Sequence, residues 1–225
     1  MRKRIVNLLI LSLVLFCTGC AFDVGLTPPA ASENYMLAVS TDTPVHPTSA
    51  NIPTVSVSRP QTNAFLNSTG IAIIQPDQKA LYYAKGQWAT VLPEMMQEAV
   101  VRSLNSTQRV RAFYNTQPGI SSDYRLVWSI EDFYAKYSAE KSPPTIAVTL
   151  TCWLIDVDNL SQPAMSSVFT GQQAASAKGL EPIVASFNST VETLLSDMNM
   201  WVANTIQTQE RQKALYSSRN GAASQ

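Results

Sequence analysis

Histidine is almost missing from this chain. His46 is the only one in 225 residues, and it stands in a stretch rich in Pro, Thr and Ser between Thr41 and Pro53, where a solvated side chain is the expectation. A serine or cysteine nucleophile therefore lacks its usual base. Glycine is scarce too, 8 in all, and none forms a phosphate-cradling loop; no His/Cys/Asp/Glu set has metal-ligand spacing, so no metal or cofactor is expected. The carboxylates are poorly arranged for acid–base work: Glu131 and Asp132 are adjacent, and Asp156 and Asp158 sit in turn-like sequence, so solvated surface and turn chemistry outweigh a glycosidase pair. Charge of one sign is lacking as well. The chain has 16 basic and 16 acidic residues, which leaves no basic field for nucleic acid. These absences argue against an enzyme.

Long apolar runs are also few. The most continuous is Ile5 to Phe16, interrupted by Asn7 and Ser12; as a helix it would span about 18 Å at ~1.5 Å per residue, short of the ~30 Å hydrocarbon core. Arg2, Lys3 and Arg4 precede it, so it reads as an export signal rather than a membrane span. Cys17-Thr18-Gly19-Cys20 follows and resembles the bacterial lipobox. It departs from the usual pattern at Cys17, where leucine is commonest. The resemblance implies cleavage between Gly19 and Cys20, with a covalent lipid on the Cys20 thiol. Cys17 would put Phe16 before the cut and is the poorer candidate. Ala21 stands where lipoproteins retained at the inner membrane usually carry aspartate, which implies sorting to the outer membrane, facing the periplasm. Without Arg2, Lys3 and Arg4 the basic count falls from 16 to 13 against 16 acidic residues, a mature charge of about −3 before lipid. Of three cysteines, one is lost with the signal and one carries lipid. Cys152 is then alone, without a disulfide partner.

The expected organisation is a signal at 1–19, a lipidated tether at 20–34, one domain at 35–208 and a flexible polar tail at 209–225. The domain reads as α+β: a small, mostly antiparallel sheet with two packed helices at about 91–104 and 182–208. Strands are expected at Tyr35–Val39 and Thr54–Ser58. Ile71–Ile74 and Leu81–Tyr83 should form a hairpin around Pro76-Asp77, ended by Gly86, with Trp88 opening the next element. Leu92, Met95, Met96, Ala99, Val100 and Leu104 recur at helical steps, with Thr90 as cap and Pro93 in the first turn. A short strand at Arg109–Phe113 should follow. In Tyr124–Tyr137 the apolar positions switch from even to odd near Glu131-Asp132, the mark of a β-bulge. Thr145–Val157 and Met165–Gln173 complete a three-stranded meander, and Cys152 falls on an apolar face as an inert small hydrophobe. Val184, Phe187, Val191, Leu194, Met198 and Trp201 form a helical stripe about 26 Å long, suited to packing on the sheet.

The spacing Tyr83, Trp88, Pro93, set between a hairpin and a helix, together with the early Tyr35-Met36-Leu37 and the long strand from Tyr124, resembles the ABC-type transport auxiliary lipoproteins. The resemblance covers about 35–206. These lipoproteins accompany MCE-type lipid transport systems, including the paraquat-inducible one. It implies a non-catalytic part that completes a transenvelope path for lipids or other hydrophobic compounds, powered by an inner-membrane ATPase. The implied partners are an MCE-domain protein and an ABC permease complex, with homo-oligomerisation left open. For Tyr83 and Trp88 the reading is packing of helix onto hairpin rather than partner contact. Two other roles stay open: a lipid-carrying periplasmic module, and a structural lipoprotein of a secretion or appendage machine.

Overall fold

The fold is built on β7, Tyr124–Lys136. In the computed structural model, which describes residues 32–38, 52–116, 119–140, 142–160 and 164–223, its buried side chains are Tyr124, Leu126, Trp128 and Ile130, then Phe133 and Ala135. The parity change coincides with a register shift between Ile130 and Asp132 against the next strand. One extra residue turns every later side chain to the opposite face, so the bulge keeps both halves of β7 in one core.

On one side of β7 the meander is as expected. β8, Thr145–Asp156, pairs antiparallel with β7, and β9, Met165–Ala174, pairs antiparallel with β8. The other side departs from the expectation. Three short strands lie parallel to β7 in succession along its length: β2 (Thr54–Val57), β3 (Gln61–Thr62) and β4 (Gly70–Ile74). β5, Ala80–Trp88, returns antiparallel on β4; β1, Glu33–Tyr35, runs parallel to β5; and β6, Arg111–Tyr114, runs parallel to β2. The sheet is therefore mixed and nine-stranded among the described residues, not small and mostly antiparallel. Alternating apolar residues specify which face a strand buries, but not which strand lies beside it.

Several boundaries move for identifiable reasons. β1 starts at Glu33, inside the expected tether, because Glu33, Asn34 and Tyr35 pair with Gly86, Gln87 and Trp88. That pairing also carries β5 through Gly86, so Trp88 ends this strand rather than opening the next element. A Cβ on Gly86 would lie 2.2 Å from Leu180 Cδ2, so glycine is what admits the neighbouring side chain. The β4–β5 turn uses Pro76 and Asp77 as expected, closed by the Gln78 amide donating to the Gln75 carbonyl at 2.9 Å, with Gln78 itself at φ 64°.

Helix α1, Leu92–Ser106, buries Leu92, Met95, Met96, Ala99, Val100 and Leu104. Its N-cap is extended Val91, not Thr90, and no side chain caps it. The Leu92 amide instead donates to the Ser68 carbonyl at 3.0 Å, and Pro93 has no N–H to satisfy. Helix α2, Leu180–Ala223, has 44 residues and covers the same sheet face. Its stripe buries Val184, Phe187, Val191, Leu194 and Met198, while Trp201 is half-buried. The helix continues well beyond 208, through the segment expected to be a polar tail.

Buried polar groups tie the layers together. Gln97 of α1 donates to the Val57 carbonyl at 2.9 Å, and Asn199 of α2 donates to the Ser103 hydroxyl at 2.8 Å. Trp128 Nε1 donates to the Ser58 carbonyl at 2.8 Å. Each of these bonds satisfies a group that would otherwise be costly to bury, and each fixes one register between elements.

Candidate functional site

Two arrangements stand out, one apolar and one polar. The apolar one is centred on Trp88, which is 1% exposed. Its ring meets Phe133 edge-on at 5.9 Å and Phe187 edge-on at 5.5 Å, while Phe133 and Phe187 stack at 4.8 Å. Trp88 therefore joins the hairpin, the spine strand and α2, rather than docking α1 alone. Pro93 is buried in the first turn of α1. Tyr83 is half-buried, with its hydroxyl hydrogen-bonded to that of Tyr137; burial, and then this bond, push its pKa up. The three spaced residues thus occupy successive structural positions, within β5, at its end and in the first turn of α1.

The polar arrangement lies where α2 passes the ends of β2, β7 and β8. Asp156, the last residue of β8, is 6% exposed. Lys213 Nζ lies 2.9 Å from Asp156 Oδ2 and 3.2 Å from Glu210 Oε1, and 5.4 Å from the centre of the Tyr124 ring. The Tyr124 hydroxyl donates to Glu210 Oε1 at 2.6 Å. Burial pulls the Lys213 pKa down, but hydrogen bonds to Asp156 and Glu210 outweigh it and hold the ammonium above its ordinary value. Burial, followed by the Glu210 bond, pushes Tyr124 up. Nearby, the Asp123 carboxylate accepts from the Thr54 amide at 2.7 Å and from its hydroxyl at 2.6 Å. Burial alone would raise Asp123; these bonds prevail and lower it.

Clefts open beside this cluster. One of about 430 Å³ is lined by Asp156, Asn159, Gln209, Gln212, Lys213 and Tyr216; another of about 480 Å³ runs past Asp123, Tyr124 and Glu210. Chemically the cluster is a set of paired charges that pins α2 to the sheet end. Asp156 corrects the expectation of a solvated turn carboxylate: it is a buried ion-pair partner, although its Oδ1 also accepts from the Asp158 amide at 3.1 Å, as turn chemistry requires. Glu131 is exposed, as expected for solvated surface. Cys152 is fully buried, and its thiol is pushed up to about 12 by desolvation. Cys17, Gly19, Cys20, Ala21 and His46 lie outside the described residues. No group of three or more metal-ligating side chains occurs among the described residues, nor is any helix there long and apolar enough to cross a membrane.

Glu210 and Lys213 were hidden by their place in a polar segment. A signal was present: Gln209-Glu210-Arg211-Gln212-Lys213-Ala214-Leu215 contains only strong helix formers, and Glu210 and Lys213 stand three residues apart.

The family model for the ABC-type transport auxiliary lipoprotein component matches residues 35–199. The chain belongs to that family. Its members are described as lipoprotein components auxiliary to ABC-type transport, a role in the cell envelope beside a transporter complex. The solved structure of XCC0632 from Xanthomonas campestris, of family DUF330, is similar in fold, with a TM-score of 0.64 at 18% identity, covering 81% of this chain and 98% of that one. An uncharacterised protein of known structure gives a TM-score of 0.61 at 13% identity, covering 76% and 99% respectively. At these identities the likeness concerns the fold. Among curated proteins no match was found.

Proposed function

We propose that this auxiliary lipoprotein is a non-catalytic adaptor, held by lipid on Cys20 at the periplasmic face of the outer membrane, for an MCE-type system that moves lipids or other hydrophobic compounds between membranes. The observation that carries this reading is the family match across 35–199, downstream of a basic start, a short apolar run and Thr18-Gly19-Cys20. Ala21 supports outer-membrane sorting. The packing is consistent with an adaptor rather than a carrier of lipid chains. A carrier needs an apolar chamber, whereas Trp88, Phe133 and Phe187 pack ring against ring beneath the Phe187 turn of α2.

The test has two arms. Cys20→Ala should accumulate as an unprocessed precursor without covalent lipid; cleavage and outer-membrane retention of that variant would refute the anchor. Affinity purification of the wild-type chain from solubilised envelopes should recover an MCE-domain protein and an ABC permease. Recovery of secretion or appendage subunits alone would replace the transport reading with the structural one, and a stoichiometric co-purifying lipid would replace the adaptor with the carrier.

A further inference from the structure

α2 changes character at Ile206. Up to that residue it is a core helix: Val191, Leu194, Leu195, Met198, Val202 and Ile206 are each 3% exposed or less. From 207 to 219 no side chain is buried, and only Gln209 and Lys213 are half-buried. Leu215 and Tyr216, the large apolar side chains of this stretch, are 65% and 71% exposed. The hydrophobic contact that holds the earlier turns to the sheet therefore stops at Ile206, while the helix runs on to Ala223, about 25 Å further at ~1.5 Å per residue. The stretch also lies beyond residues 35–199, which the family model matches.

What holds it to the sheet is polar. The Lys213 ammonium reaches Asp156 at 2.9 Å, and the Tyr124 hydroxyl reaches Glu210 at 2.6 Å. The two charged members that the helix contributes keep much of their surface in solvent, and clefts of about 430 Å³ and 480 Å³ flank them. Salt ions thus reach these links, and partly solvated charge pairs weaken with ionic strength. The helix is also weak at the boundary. Thr208 is β-branched, and its hydroxyl donates back to the Asn204 carbonyl at 2.8 Å, an arrangement that destabilises and bends helices. The strong helix formers Gln209 to Leu215 are followed by Tyr-Ser-Ser-Arg-Asn-Gly, largely residues of low helix propensity. Such a run falls short of the ~12–15 residues an isolated helix needs in water.

We infer that residues 207–223 form a strap that opens independently of the domain. Docked, it is a helical extension latched by Asp156 and Tyr124. Released, it unwinds from Thr208 outward while the turns up to Ile206 stay on the sheet, a local opening of the kind expected where buried apolar contacts are few. Opening uncovers the ends of β7 and β8: the Tyr124 ring, over which Lys213 lies at 5.4 Å, and the Asp156 carboxylate that Lys213 neutralises. Because the latch is made of charges and the rest of α2 is held by burial, ionic strength moves the strap and leaves the domain in place.

The experiment is hydrogen exchange read by mass spectrometry on the full-length protein in detergent micelles, at fixed pH, in about 0.1 M and about 1 M sodium chloride, where screening lengths are about 10 Å and 3 Å. Amides of 210–216 should exchange about three- to tenfold faster in the higher salt, and those of 191–206 should not change. At the lower salt, Asp156→Asn should speed the strap about tenfold. Tyr124→Phe, which keeps the ring and deletes the hydroxyl link, should speed it by a smaller factor. Circular dichroism verifies that both variants are folded. Simple fraying of a helix end would not respond to a residue at the end of β8. Strap amides as slow as those of 191–206, a strap unmoved by salt or by either variant, or a speed-up shared equally by 191–206 would overturn the proposal, the last because opening would then be global.

Discussion

Replacing Phe187 by alanine removes one of the three rings that join α2 to the hairpin and the spine strand. Phe187 is completely buried, stacked on Phe133 at 4.8 Å and edge-on to Trp88 at 5.5 Å. Phe-to-Ala changes in such surroundings cost about 3–5 kcal/mol, a transfer term plus a cavity the neighbours cannot fill. The aromatic share is separable. Two ring contacts at about 0.5–1.5 kcal/mol each predict that Phe187→Leu, which keeps most of the apolar volume, loses about 1–3 kcal/mol. For a domain of this size each kcal/mol lowers Tm by about 2–4 °C, so Phe187→Ala should melt roughly 6–20 °C below wild type. Urea unfolding followed by circular dichroism would show a lower midpoint at unchanged slope. Met200→Ala, at a side chain 52% exposed on the same helix, should stay within about 0.5 kcal/mol of wild type. A Phe187→Ala loss below about 1 kcal/mol, or one equal to that of Met200→Ala, would refute the claim that the three-ring contact holds α2 to the sheet.

Lys213→Met should destabilise by about 1–3 kcal/mol, because Asp156 would be left buried without its cation; adding Asp156→Asn should recover most of the loss, and additive losses in the double-mutant cycle would refute the coupling. The Asp123 pKa is lowered from 3.8 in the folded protein, so its contribution is complete above the ordinary carboxylate range and fades as pH falls through the folded value. Asp123→Asn should accordingly flatten the acid limb of the stability–pH curve, and a parallel curve would contradict this. Cys152, buried with its thiol pushed up to about 12, should resist a thiol reagent at neutral pH until the chain unfolds, with labelling measured by mass spectrometry; rapid labelling of the native protein would show that the strand face opens.

What could be read locally and what could not is clear from particular residues. The switch from Trp128 and Ile130 to Phe133 and Ala135 marks the bulge, because a strand's side-chain period is two and a single insertion must invert it. The spacing of Leu92 to Leu104 marks α1 for an analogous reason. Thr90 misleads because a cap is chosen by whichever acceptor reaches the first amides, and here the Ser68 carbonyl is already in place. Trp88 misleads in a different way. Its burial could be guessed, but its partners Phe133 and Phe187 lie far along the chain. The polar cluster was the least legible part. Helix formers continue past 208, yet nothing local says that Tyr124 and Asp156, at the ends of two strands, will receive Glu210 and Lys213.

By itself, the sequence determined the α+β class, the antiparallel meander and the buried faces of both helices, because these follow from periodicity and turn chemistry within a few residues. Tertiary structure alone decided that β2, β3 and β4 share one side of β7 in parallel, that α2 runs on to be pinned by Asp156 and Tyr124, and that β9, among the described residues, pairs on one side only. Those outcomes depend on which distant segments become neighbours, and neighbours are chosen by the fit of whole surfaces rather than by any local run of residues.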